Sequence, residues 1–421
     1  MYRVWKPQYE IELANQKMLH VPTDGLLGSN FSWEDVERTI GDDFKFGERK
    51  TIEPLGVGVG LQSLLGVIHS DSKSSKVPET FVLKIGSPIA LLQALSDQAA
   101  KVPPEAAAEL VKEFVSFLPP CHNSEIYFYE KFQALPIAHS LSQIPQYFFG
   151  EKLEALEGGD YTKGCIGIEY IENVYSLSPA QNFSDEQVKQ VLKVLAKLEV
   201  GFLKVSENES EQQTPHDGFA GLYKTFKDWF LQMNNQLLGN VPPLAQFAQQ
   251  FTEILPEIIT CEEVDKLSTA LGIKKVLVHG DLWAANIMWN SETNNLEKIV
   301  DFQMIHFGLA ATDLTRFFNT CLSAEDRKLK WREYLKYFHD SLVEEVDDQE
   351  LPYTYEQLEL SYRLVYPRSS AQLLPPLSAI LENVSKLPDD EVKQAALGTV
   401  ISKIAGIYAD IIEEHKNRPK I

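Results

Sequence analysis

Three polar residues near the middle of the chain have side chains suited to proton transfer and metal binding. Asp281 and Asn286 lie in the segment VHGDLWAAN, residues 278–286, and Asp301 follows a second short apolar run. A carboxylate can accept the proton of a hydroxyl group. Asp and Asn oxygens are hard ligands of the kind that Mg²⁺ prefers. These residue types therefore predict a site that activates a hydroxyl beside a metal ion.

The segments between these residues would bring them together. Residues 287–290 and 296–300 are largely apolar and are separated by a polar turn, which is typical of a β-hairpin. A hairpin returns Asp301 to the neighbourhood of Asn286, so that two oxygen ligands converge on one Mg²⁺. Asp281, on the preceding loop, is then placed to accept the proton of an attacking hydroxyl. Taken alone, each of the three residues could equally be a turn former.

The order of residues along the chain is that of ATP-dependent phosphotransferases. Asp281 and Asn286 have the spacing of the kinase catalytic loop, and Asp301 stands where kinases keep a metal-binding Asp. Upstream, Lys84 lies in an apolar segment, where it could bridge the α- and β-phosphates of ATP or be a solvated position on an edge strand. Glu125 lies on the apolar stripe of a predicted helix. It could pair with Lys84, because a buried carboxylate is costly without a partner, or lie in water at the rim.

A glycine-rich segment precedes Lys84. Residues 50–85 predict a three-stranded meander, with Gly58 and Gly60 in the turn between its first two strands. Glycine lets backbone N–H groups approach phosphate oxygens closely, and the hydroxyl of Ser63 could add a donor. The alternative is a hairpin turn that needs glycine only for its positive φ. ATP is the cofactor that this segment would hold.

The whole pattern predicts an α+β chain with a two-lobed, protein-kinase-like fold. Residues 1–167 would form a smaller ATP-binding lobe, with an antiparallel sheet and one helix that carries Glu125. Residues 168–421 would form a larger, mainly helical lobe for catalysis and substrate binding. At the junction the backbone would contact the adenine edge, and we expect Glu169 and Ile171 to contribute to these contacts.

The segment after Asp301 bears on the substrate. Only eleven residues separate Asp301 from Asp313, whereas a protein kinase needs a longer activation segment to bind a polypeptide. The expected substrate is therefore a small-molecule alcohol. Asp313 could brace the catalytic loop through backbone hydrogen bonds or simply cap the next helix. The alternatives are a nucleotide-binding scaffold without catalysis and, less favoured, a protein kinase.

Composition limits the partners and the compartment. Lys plus Arg number 39 and Asp plus Glu number 60, giving a formal net charge of −21, which repels nucleic acid and anionic membranes. Four scattered cysteines fit a reducing compartment, and the N-terminal residues have no signal-peptide pattern. No uncharged apolar run has the length of a membrane span. We expect a cytoplasmic protein, monomeric by default, that binds neither nucleic acid nor membranes.

The sequence also resembles a known family. The motif HGDLWAAN at residues 279–286, with Asp301-Phe302-Gln303, resembles the catalytic and metal-binding motifs of the aminoglycoside phosphotransferase and choline kinase superfamily. The longer pattern is similar to the nematode branch of the CHK-kinase-like, or ecdysteroid kinase-like, proteins. The segments that carry this likeness are Leu27–Gly28, residues 32–37, residues 81–85 and residues 125–129.

The resemblance implies ATP and Mg²⁺ as cofactors. It implies that Asp281 is the base and that Asn286 and Asp301 bind the Mg²⁺. It also implies that Lys84, paired with Glu125, binds the ATP phosphates. It also adds one residue to the catalytic loop: His279 would be a structural histidine, hydrogen-bonded to backbone near Asp301. Acceptors in this family imply a hydroxyl on a metabolite, a steroid-like compound or a xenobiotic.

Overall fold

The computed structural model separates the chain into two compact units. The first comprises Met1–Gln133 and Pro145–Glu172, and the second comprises Ala134–Ile144 and Asn173–Ile421. The lobe boundary predicted between residues 167 and 168 lies inside a strand of the first unit, shortly before the division at Glu172. The structure describes residues 22–55, 62–90, 92, 115–157, 161–209, 227–258, 264–346 and 350–419.

The first unit is built on a five-stranded sheet in which every pairing is antiparallel. The spatial order is β1-β2-β3-β5-β4. The predicted meander is confirmed, since β1, β2 and β3 pair consecutively. The strands are β1 (Lys50–Pro54), β2 (Ser63–Ser70), β3 (Thr80–Gly86), β4 (Tyr147–Glu151) and β5 (Cys165–Glu169).

Two helices of the first unit are described. Helix α1 (Trp33–Ile40) begins at a capping box, in which Ser32 and Asp35 each accept the other's backbone N–H. Helix α2 (Leu118–Ala134) begins slightly earlier than predicted because Pro119 and Pro120 occupy its first turn, where a missing N–H costs nothing. The core that joins α1 to the sheet includes Phe31, Val36, Phe81, Leu83 and Ile85.

The second unit is mainly helical, as predicted. Its sequence predicts four helices in the C-terminal part, at residues 324–348, 353–364, 370–384 and 389–416, and all four are present with shifted ends. The helices are α3 (Asp185–Glu209), α4 (Lys227–Asn240), α5 (Ala248–Ile258), α6 (Val264–Leu271), α7 (Ala311–Cys321), α8 (Ala324–Glu345), α9 (Tyr355–Ala371), α10 (Leu374–Ser385) and α11 (Asp390–Lys416). The α+β class predicted from the sequence is thus confirmed.

Two small antiparallel sheets hold the segment VHGDLWAAN, residues 278–286, in the second unit. Strand β7 (Val276–Val278) pairs with β10 (His306–Gly308). Strand β8 (Ile287–Asn290) lies between β6 (Val174–Ser176) and β9 (Leu296–Ile299). The β8–β9 pair is the predicted hairpin.

Helix α11 is the most apolar long helix of the described chain. An 18-residue stretch of it has a mean hydropathy of 1.5, and by length and composition it is the one described helix that could cross a membrane. In the structure, its apolar face is packed inside the second unit, with Ile404, Ile407 and Ile411 fully buried. The Lys403 ammonium lies on the same face and donates to the backbone oxygens of Gln181 and Thr320, at 2.7 and 2.8 Å.

Candidate active site

The loop after β7 requires glycine at its second residue. Gly280 has φ = 78°, a left-handed conformation that residues with a Cβ rarely adopt. A Cβ built there would also lie 2.2 Å from the backbone oxygen of Met304. Gly280 therefore allows the chain to pass close to the segment after Asp301 before it presents Asp281.

His279 ties the loop to that same segment. Its Nε2 lies 3.1 Å from the backbone oxygen of Val300, and its Nδ1 accepts the backbone N–H of Asp281. The two bonds are compatible when Nε2 carries the proton. The imidazole also contacts the ring of Phe302, at 4.7 Å between centroids. The hydrogen bond to backbone near Asp301 that the resemblance implied is thus present.

Asp313 braces the loop from helix α7. One carboxylate oxygen accepts the backbone N–H of His279 at 2.6 Å, and the other accepts that of Gly280 at 2.9 Å. Asp313 lies in the first turn of α7, and the N-cap position is Ala310, so the capping alternative is wrong. The bracing role follows from the geometry, because two successive backbone donors share one buried carboxylate.

Asn286 is oriented by Asp281. Its Nδ2 donates to the backbone oxygen of Asp281 at 2.9 Å and to Asp281 Oδ2 at 3.2 Å. Because the amide nitrogen faces Asp281, the carbonyl oxygen of Asn286 is the atom suited to a cation. This orientation fits a Mg²⁺ ligand, and the role of Asn286 on the metal stays a prediction.

Asp301 is held close to Asn286 by the β8–β9 hairpin. The backbone N–H of Val300, one residue earlier, donates to the backbone oxygen of Asn286 at 3.0 Å. Asp301 itself has φ = 69° and ψ = 63°, a strained conformation for a residue with a Cβ and one that is frequent at functional sites. In the described chain no cluster of three His, Cys, Asp or Glu forms a metal site.

Charge and burial act in opposite directions on Asp281. Burial is the largest effect and raises the pKa of its carboxyl above the ordinary value. The Arg316 guanidinium lowers this pKa, and the nearby negative charge of Asp301 raises it again. The net upward shift makes Asp281 a stronger proton acceptor than an exposed aspartate.

Arg316 is the site residue that sequence reasoning missed. Its guanidinium, on helix α7, donates from Nη2 to Oδ1 of Asp281. A signal was present in the sequence, since Arg316 follows Asp313 by three residues and so shares its helical face.

In the first unit, Lys84 and Glu125 form a buried ion pair. Lys84 Nζ lies 2.5 Å from Glu125 Oε2, and the two side chains are 7% and 1% exposed. Lys84 is on β3, an interior strand of the sheet, so the alternative of a solvated edge position is wrong. Glu125 points inward from α2, so its alternative at the rim is wrong too. The role of this pair in holding ATP stays a prediction.

The remaining predicted nucleotide contacts are tested less directly. Gly58 and Gly60 lie outside the described residues. Ser63 is buried and begins β2 opposite Gly86. Glu169 ends β5, and it binds Gln146 through its backbone N–H and its carboxylate. The phosphate role of Ser63 and the adenine contacts of Glu169 and Ile171 stay predictions.

Comparison with known proteins finds two relatives in Caenorhabditis elegans. Over 242 residues the chain is 27% identical to the uncharacterized kinase-like protein D1044.1 of Caenorhabditis elegans, which covers 57% of this chain and 61% of that protein. Over 338 residues it is 25% identical to the C. elegans uncharacterized oxidoreductase dhs-27, covering 76% of this chain and 37% of that protein. The chain thus spans less than two thirds of either relative.

A solved structure that resembles this chain is the ethanolamine kinase Pv091845 of Plasmodium vivax. The likeness has a TM-score of 0.39 and 15% identity, and it covers 84% of this chain and 82% of that one. A family profile matches the chain over residues 19–419. It is the profile of DUF1679, described as "Uncharacterized oxidoreductase dhs-27". Because this match spans nearly the whole chain, the protein belongs to the DUF1679 family.

Proposed function

We propose that the protein is an ATP-dependent phosphotransferase that moves the γ-phosphate to a hydroxyl of a small molecule. The observation that carries this proposal is the loop after β7. There a partly buried carboxylate, Asp281, lies beside an amide, Asn286, and near a second carboxylate, Asp301, on a backbone held by Asp313. Phosphoryl transfer asks the protein mainly for positioning and charge neutralisation. This arrangement supplies the positioning, and a bound Mg²⁺ together with Lys84 would supply the neutralisation.

Each residue has a defined part in the proposed reaction. Asp281 accepts the proton of the acceptor hydroxyl while the hydroxyl oxygen attacks the γ-phosphorus. Asn286 and Asp301 would hold Mg²⁺, which when bound neutralises charge on phosphate oxygens. Lys84, kept in place by Glu125, would bind the α- and β-phosphates of ATP.

A small acceptor is favoured over a polypeptide. The segment between Asp301 and Asp313 is described in full and is occupied by a short helical turn, Phe302–Met304, and by β10, which pairs with β7. This tethered segment leaves no extended activation loop for a peptide to bind. We therefore propose a hydroxylated metabolite, a steroid-like compound or a xenobiotic as the acceptor.

The oxidoreductase name among the relatives has a limited bearing on this chain. The match covers 37% of that C. elegans protein, so the name describes a polypeptide of which most lies outside the matched region. The other C. elegans relative is named kinase-like. The geometry of the Asp281 loop agrees with the kinase-like name.

The test is a mass-spectrometric screen with the purified protein, ATP, Mg²⁺ and a library of hydroxylated small molecules. We expect at least one compound to gain the mass of a phosphate group, with ADP formed in equal amount. The control is Asp281→Asn, which should bind ATP and transfer phosphate about 1,000-fold more slowly. A protein that binds ATP but phosphorylates none of the library, and forms no ADP with any of it, would favour the scaffold alternative.

A further inference from the structure

Arg316 supplies the Asp281 loop with a positive charge that the loop itself lacks. The segment VHGDLWAAN, residues 278–286, contains neither Lys nor Arg. The cation beside Asp281 comes instead from helix α7, through the bond from Arg316 Nη2 to Asp281 Oδ1. The two side chains are only 12% and 15% exposed, so water screens this ion pair weakly.

The two oxygens of Asp281 are held unequally. Oδ1 accepts a charge-assisted bond from Arg316, and Oδ2 accepts a longer bond, 3.2 Å, from the neutral amide of Asn286. The bond from Arg316 adds the attraction between two opposite charges, which a neutral amide donor does not supply. The guanidinium therefore fixes the orientation of the carboxylate, and Oδ2 is the oxygen that more easily exchanges its partner for an incoming hydroxyl.

One face of α7 controls both the backbone and the side chain of the loop. Asp313 binds the backbone N–H groups of His279 and Gly280, and Arg316, three residues on, binds the side chain of Asp281. Residues three apart lie on the same helical face. A rigid helix thus carries the groups that orient the base, as precise catalytic geometry requires.

We propose that Arg316 is a positioning residue of the phosphotransfer reaction, holding the Asp281 carboxylate in the rotamer that presents Oδ2 to the acceptor hydroxyl. The inference rests on the proposed function. In the reaction the hydroxyl proton passes to Oδ2, the electron pair of the O–H bond forms the new bond to the γ-phosphorus, and the bond to the β-phosphate oxygen breaks to release ADP. Arg316 exchanges no atom or electron.

The experiment compares Arg316→Ala with Arg316→Lys, using ATP·Mg²⁺ with water as the phosphoryl acceptor and ADP as the product measured. We expect Arg316→Ala to lower kcat about 100-fold, the effect of a misplaced catalytic group, while the KM for ATP changes less than about twofold. Arg316→Lys should recover part of the loss because it keeps the charge. Added guanidinium ion at a non-denaturing concentration should also raise the activity of Arg316→Ala.

The matched control is Arg363→Ala, which removes an arginine–carboxylate pair elsewhere in the second unit, at 3.0 Å from Glu414. It should keep the wild-type kcat and should not respond to guanidinium. If Arg316→Ala keeps kcat within about twofold of wild type, the inference is wrong and the proposed function stands. If wild type neither binds ATP nor forms ADP, both fail.

A crystal structure of Arg316→Ala provides a readout that does not depend on turnover. We expect the Asp281 carboxylate to leave its position beside Asn286 Nδ2, with Asp313 still bound to the loop backbone. An Asp281 side chain in the wild-type rotamer would overturn the proposal.

Discussion

The two units each contain an ion pair between a lysine or arginine and a carboxylate, and the two pairs differ in access to water. Lys84 and Glu125 join a strand to a helix and are 7% and 1% exposed. Arg316 and Asp281 join a helix to a loop and are 12% and 15% exposed. The pair of Lys84 and Glu125 is the more deeply buried, and Asp281 is the most exposed of the four side chains. Burial therefore makes the first pair a fixed charge on which the fold depends, whereas Asp281 keeps the exposure that proton transfer needs.

Replacing Asp281 tests the reactive pair most strongly. Asp281→Asn keeps the shape of the side chain but removes the proton acceptor, so transfer should fall about 1,000-fold, within the usual range for a general base. ATP affinity, measured by calorimetry, should stay close to wild type. Wild-type turnover in this variant would show that Asp281 has no catalytic role.

Breaking the more deeply buried pair, Lys84 with Glu125, should instead destabilise the fold. Glu125→Gln leaves the Lys84 ammonium buried without its carboxylate partner, which typically costs about 3–5 kcal/mol. Urea unfolding should show this loss. The double variant Lys84→Met with Glu125→Leu should recover most of the stability, because apolar replacement of both partners is often neutral. The double variant should not recover ATP binding. If it recovers both stability and ATP binding, Lys84 and Glu125 do not hold the nucleotide.

The pH dependence of the first unit extends the comparison. Burial lowers the pKa of His122 to about 4, from 6.5, although Nε2 binds the backbone oxygen of Glu151. The unfolded chain therefore binds more protons between these values, and stability should fall as the pH drops from 6.5 towards 4. The shift corresponds to about 3 kcal/mol. Denaturant unfolding across this range should show a slope that His122→Gln removes.

In the second unit, the matching window lies at alkaline pH. Burial lowers the pKa of Lys403 to about 8, from 10.5. Between these values the unfolded chain again binds more protons, so stability should rise as the pH increases from 8 to 10.5. The shift corresponds to a gain of about 3 kcal/mol, and the neutral amine keeps two N–H groups for the backbone oxygens of Gln181 and Thr320. Lys403→Met should flatten the slope, and an unchanged slope would place its origin elsewhere.

Local patterns predicted the parts of the structure that local chemistry controls. The β8–β9 hairpin followed from a polar turn between apolar segments, and the meander of β1, β2 and β3 followed from three segments separated by turns. The pairing of Lys84 with Glu125 could also be expected, because an apolar stripe cannot hold a lone carboxylate. The contact of Arg316 with Asp281 escaped prediction because it joins residues distant in sequence through the orientation of α7. Lobe limits were equally hard to place, since the return of residues 134–144 to the second unit leaves no mark in composition.

The grip of Asp313 on two successive backbone N–H groups has a consequence for protein engineering. It holds the main chain of the loop and makes no demand on the side chains at 283 and 285, which are half-buried. Substitutions at Trp283 and Ala285 can therefore be sampled in a library without loosening the base. Such a library would test whether these two positions contribute to acceptor binding in the proposed reaction.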